Sequence, residues 1–306
     1  GMFFMVAERT DQPNAAMRAA AHLMYEVGPA PAPADRNRVG RTFTGDILYG
    51  ADFIPTDEQM RKLRAERAED PKPLARAYDG LGWATIADDT AFPKLRMAVR
   101  GGSSAIRGHG HIDLLSIKAE VDGVRFIEDQ RGGIVAVNYT GRGHDLYSRS
   151  AAAKSTLFVG GVGPDLNTEA PIERVEGDGV IGFRVDGSKT YMRRWGRSFI
   201  GRAALLVDYS YWLVVDTAPG KGIESRYHTY ADVEVGDDWA RLSKQGRPSK
   251  HSANTATTPT EQLTMTFASL DNSVLQQSRG MPTFAAEQTT ILRWMNDDRR
   301  SGTLHV

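Results

Sequence analysis

From about Asp79 onward, apolar and polar positions alternate in short runs punctuated by Gly, Asp and Pro. Runs at 83–86, 95–100, 114–121, 124–128, 155–159, 180–185, 203–207, 212–216 and 263–267 are rich in β-branched and aromatic residues. Such runs predict strands with one face turned to a core. Asp122-Gly123, Asp178-Gly179 and Asp186-Gly187 predict tight hairpins, because both central positions of a type I′ turn need positive φ. Gly177, Gly179 and Gly182 fit Gly-x-Gly-x-x-Gly. A dinucleotide site needs a helix next, and Phe183-Arg184-Val185 continues as strand, so this too predicts a hairpin. Residues 160–164 lack the Lys-Ser/Thr of a phosphate loop and read as a strand connection. The expected fold is mainly β: a large antiparallel β-sandwich with a short helical N-terminal extension.

That extension holds two predicted helices. The first covers about 12–26, with Asp11 as cap, Pro13 in the first turn and Met17, Ala20, Ala21 and Met24 as the apolar stripe. A Pro-Ala linker at 28–35 ends it. The second starts at Pro55-Thr56, where Thr56 and Gln59 have capping-box spacing, and stops by Pro71. Two helices this short do not make a domain. The expected division is therefore 1–75 as extension and linker and 76–306 as sandwich. Residues 243–261 are polar and of low complexity, predicting a mobile loop.

Composition narrows the partners. Lys+Arg and Asp+Glu are balanced at 38 each, which argues against nucleic acid or an anionic membrane surface. There is no cysteine, so any metal must be held by His and carboxylate groups. No window approaches the ~18 apolar residues of a membrane span. The apolar start, 1–6, lacks the basic flank of a secretory signal, which leaves the compartment open.

The candidate chemistry lies in Gly108-His109-Gly110-His111-Ile112-Asp113. In an extended strand His109, His111 and Asp113 would share one face, continued by Leu115 and Ile117 as core. Two imidazoles and a carboxylate at a strand end suit a divalent metal or a charged sugar. The bland alternative is a hydrogen-bonded histidine pair without ligand. Two weaker candidates face the same choice. His228, between Tyr227 and Tyr230, would line a sugar groove or else pair across strands. Arg194, with Arg193, Arg197 and Trp195, would bind uronate carboxylates or else form a solvated edge.

The run Gly108-His-Gly-His-Ile-Asp-Leu-Leu-Ser116, then Asp122-Gly123 and Glu128-Asp129, resembles the Gly-His-x-His-x-Asp-x-x-Ser hairpin of the heparinase II/III-like polysaccharide lyase family. Tyr147 to Thr156 is similar to that family's Arg…Ala-His-Asn-Thr segment, and Arg193-Arg194 through Asp216 to its later strands. The resemblance covers about 79–231. It implies β-elimination at a uronic acid, an acidic polysaccharide as partner, His109 as the catalytic histidine facing the cleft, and His111 and Asp129 as ligands of zinc. The third ligand position holds Lys154, and a protonated lysine does not ligate zinc. Either its ammonium replaces the metal charge by pairing with Asp129 or Asp113, or His144 supplies the ligand. A two-residue turn at Asp122-Gly123 would also put Asp129 opposite Ser116, on the wrong face, so a bulge or a strong bend is required.

In that family base and acid residues sit largely on a helical toroid, for which no segment of this chain is a match. Two functions therefore stand: a lyase-like enzyme, or a non-catalytic acidic-saccharide-binding module or sandwich subunit needing a partner. An uncovered sandwich face predicts a homo-oligomer or a helical partner.

Overall fold

The structure, a computed structural model, describes residues 62, 65, 69, 73–90, 93–105, 110–130, 147–196, 198–219, 222–245, 260–270, 272–281, 288–296 and 303–306. The two helices expected within 12–71 fall almost wholly outside these residues, as does 246–259 of the expected loop. One compact unit comprises Leu74–Asp88, Lys94–Gly246 and Pro259–Val306. Its described residues are mostly strand, and the strand pairs are all antiparallel.

One five-stranded sheet orders β1 (Leu74–Tyr78), β2 (Trp83–Ala87), β3 (Leu95–Arg100), β5 (Ile117–Val121) and β6 (Val124–Ile127). A second orders β19 (Thr303–His305), β12 (Tyr211–Ala218), β11 (Gly201–Val207), β10 (Val180–Asp186) and β9 (Ile172–Gly177). A four-stranded sheet runs β17 (Ser273–Arg279), β18 (Thr290–Asn296), β13 (Ile223–Thr229) and β7 (Leu157–Val159). Three further strands, β14 (Asp232–Val235), β15 (Trp239–Gln245) and β16 (Thr260–Thr266), form a small sheet, and β4 (Gly102–Ser103) pairs with β8 (Glu169–Ala170). The flanks of the expected polar loop, 243–245 and 260–261, are thus strand.

Alternation explains the layering. Ala84 and Ile86 of β2, Met97 and Val99 of β3, and Ile117 and Ala119 of β5 are buried at every second position. They share one apolar cluster with Ile181, Phe183 and Val185 of β10 and Ala204 and Leu206 of β11. Removing this surface from water is the main force joining the sheets.

The turns divide the expectations. Asp122 (φ 46°) and Gly123 (φ 77°) form the tight hairpin between β5 and β6. Gly179 (φ 66°) closes the β9–β10 hairpin. Asp186-Gly187 is not a hairpin: Gly187 has φ −89°, and a 3₁₀ turn, Ser188–Tyr191, follows. A Cβ at Gly187 would lie 2.9 Å from both Leu115 methyl groups, so close approach rather than positive φ calls for glycine there.

The register of β5 and β6 bears on the site. Val121 pairs with Val124 and Glu120 with Arg125, but Ala119 pairs with Ile127, leaving Phe126 as the extra residue of a bulge. This is the one-residue shift that Asp129 needs to change face.

Candidate functional site on the sandwich rim

The site forms where three segments leave the strands: 110–116 before β5, 128–130 after β6, and 147–156 before β7. The first is not the strand its alternation predicts. Leu115 takes φ 62°, and the Ser116 amide donates to Asp113 O at 3.0 Å, making a turn. Asp113 and His111 accordingly face different partners, and His109 lies outside the described residues.

Asp113 pairs with the buried Arg100, Nε to Oδ1 at 3.3 Å. Arg100 also donates to Gly82 O at 2.7 Å and Ser103 O at 2.9 Å. Burial raises the Asp113 carboxyl pKa against the opposing pull of Arg100. Arg149, buried in the 3₁₀ turn Tyr147–Arg149, donates from Nε and Nη2 to Gly110 O at 2.9 and 2.7 Å, and its own carbonyl accepts from the Ile112 amide at 2.9 Å. These bonds tie the histidine segment to the segment carrying Lys154.

Lys154 is only 2% exposed. Its Nζ lies 2.8 Å from His111 Nδ1, donates to Ser148 O at 2.9 Å and stands 3.7 Å from Asp129 Oδ2. Asp129 Oδ1 accepts from the Ser155 amide at 3.2 Å, and Lys118 Nζ approaches Oδ2 at 3.6 Å. Of the two carboxylates expected for Lys154, the direct partner is therefore Asp129. With Lys154 as an ammonium, which has donors and no acceptor, His111 Nδ1 accepts and the neutral ring carries its proton on Nε2. Desolvation of the ring and the facing Lys154 charge push the His111 pKa down to about 4. His111 nonetheless keeps an exposed edge, and Lys118 beside it is 44% exposed, 5.0 Å from the centre of the Trp83 ring.

These donors do not fit zinc. Its nitrogen and oxygen ligands stand at about 2.0–2.2 Å and bring a lone pair, whereas the point between His111 and Asp129 is filled by the Lys154 amine. Among the described residues, no group of three His, Cys, Asp or Glu side chains is placed to hold a metal. His144 lies outside them.

The two remaining candidates part company. His228 is 0% exposed, with Nδ1 at 2.8 Å from Thr289 Oγ1 and Nε2 at 3.1 Å from Ala152 O. It braces the interior behind the rim and lines no groove, because its partners across the layers saturate both nitrogens. Arg194 lies in the single helical turn Met192–Trp195. Lys118, Arg100 and the Ser148 carbonyl were not singled out by the sequence. Only Lys118 left a signal, as the outward residue between inward Ile117 and Ala119.

Comparison with known structures identifies the sandwich. The chain is similar to a heparinase III gene product at 11% identity, covering 87% of this chain and 41% of that one, with a TM-score of 0.59. It is similar to heparan sulfate lyase HepC from Pedobacter heparinus at 13% identity, covering 89% and 41%, with a TM-score of 0.57. For the crystal structure of a heparinase III the figures are 10%, 77%, 36% and 0.58. The fold is thus that of the heparinase structures, of which the chain spans about two fifths. No curated protein sequence matches significantly. The C-terminal profile of the heparinase II/III-like family matches residues 70–295, and the chain belongs to that family.

Proposed function

We propose that this sandwich is the C-terminal half of a polysaccharide lyase that cleaves uronic-acid-containing glycans by β-elimination. What carries the reading is the family match over 70–295, which takes in the whole rim cluster. Elimination requires the uronate carboxylate to be neutralised, the C5 proton to be removed and the C4–O bond to break. His109 is the residue proposed to face the cleft for the proton step. The exposed Lys118 is suited to an acidic sugar because a cation beside the substrate stabilises a carboxylate that gains charge density as the C5 proton leaves, and Arg194 is proposed as a second such group.

The second reading is a module that binds acidic saccharide without cleaving it, which calls only for an exposed cation such as Lys118 and for no base. Ultraviolet absorbance separates the two, since the unsaturated uronate product absorbs and the substrate does not. On a panel of uronic-acid glycans, absorbance is expected to rise with the wild type, and His109→Ala is expected to abolish the rise. Binding without a rise favours the module. Neither binding nor a rise on any acidic glycan sinks both.

A further inference from the structure

We propose that Lys154 is the resident cation of the rim: its ammonium, fixed between His111 and Asp129, takes the place of a divalent ion and closes the cluster without metal. The geometry goes beyond a chance ion pair. The amine hydrogen-bonds to His111 Nδ1 at 2.8 Å and Ser148 O at 2.9 Å and forms an ion pair with Asp129 Oδ2 at 3.7 Å, so groups from three segments meet it. Nitrogen, carbonyl and carboxylate donors converging on one point are what a small cation needs, and here the cation is covalently attached. Asp129 is turned to that point from its other side by the Ser155 amide. The lysine stem is buried, so a metal ion would have to displace an ordered side chain from the interior before reaching the donors.

An attached cation has consequences that a bound one lacks. A chelator cannot remove it, and the link between the three segments does not depend on metal supply. This inference concerns what holds the rim together and stands apart from the glycan reading. Its test uses no glycan, so either can fail without the other.

The whole chain, dialysed against EDTA and then against zinc, is expected to carry no stoichiometric metal by elemental analysis and to keep the same Tm throughout. Lys154→His exchanges the ammonium for a third zinc ligand. It is expected to gain stoichiometric zinc and a Tm that climbs with zinc concentration and falls back with EDTA, as binding to the folded state requires. Lys154→Met should melt lower than the wild type and ignore zinc. Stoichiometric, EDTA-removable zinc in the wild type, for instance through His144, overturns the proposal. So does a folded Lys154→His that ignores zinc, or a Lys154→Met that binds it. If Lys154→His does not fold, the metal content and Tm of the wild type decide the question.

Discussion

Replacing Arg202 with methionine is expected to cost about 3–5 kcal/mol of folding stability, because it leaves an uncompensated charge in the interior. Arg202 is 0% exposed and grips Asp216 with two bonds, Nε to Oδ1 at 2.6 Å and Nη2 to Oδ2 at 2.7 Å. Its Nη1 donates to Leu115 O at 2.8 Å and Ser155 O at 2.9 Å. The Ser225 hydroxyl, which also meets His305 Nδ1 at 2.9 Å, gives Asp216 a further bond of 2.6 Å. Methionine fills much of the volume but makes none of these bonds. Asp216 then loses its charged partner and keeps the Ser225 hydroxyl, while Leu115 O loses its guanidinium donor and Ser155 O keeps the Ile117 amide. A urea midpoint shifted by an amount worth less than about 1 kcal/mol would mean the pair is not buried as described. Removing both charges, Arg202→Met with Asp216→Leu, should recover part of the loss, since paired charges transfer poorly from water in the first place.

The two carbonyls make this more than a core interaction. Leu115 O belongs to the turn after His111, and Ser155 O follows Lys154. One guanidinium in the core thereby sets the spacing of two of the three segments that build the rim.

Phe126→Ala is expected to be comparably severe, about 3–5 kcal/mol, from lost transfer energy plus the cavity left behind. Phe126 is 0% exposed and is the extra residue of the β5–β6 bulge. Its burial anchors the register shift that turns Asp129 toward Lys154. Arg125→Ala, one position away on the exposed face, should change stability by no more than about 0.5 kcal/mol. Equal effects at the two positions, read from urea unfolding, would contradict the register.

Much of the fold is legible in period-two alternation, because each strand buries one face and the side-chain period of a strand is two. The 95–100 run is β3 to the residue, and Asp122-Gly123 makes its turn as its chemistry demands. Counting residues around that turn even called for a bulge or a strong bend, and the bulge is the one found. The departure at Lys154 was visible too, since a lysine among expected ligands is a local fact. What stayed hidden depends on distant partners. Leu115 adopts positive φ without glycine, held by its buried side chain and by Arg202, 87 residues away. Asp208 and Tyr209 also carry positive φ without glycine, 47° and 52°, in the β11–β12 turn. His228 read as a groove residue from its aromatic neighbours, yet Thr289, 61 residues on, claims one of its nitrogens. Local pattern reports which face is buried, not which polar group waits there.

The most direct test is the protonation state of the His111 ring, read from its nitrogen chemical shifts in the ¹⁵N-labelled chain across the range from pH 6.5 to about 4. A lysine ammonium donating to Nδ1 requires a neutral ring with its proton on Nε2, persisting until the pH nears about 4. A ring that titrates near 6.5 like a free histidine, or that carries its proton on Nδ1, would contradict a rim built around Lys154.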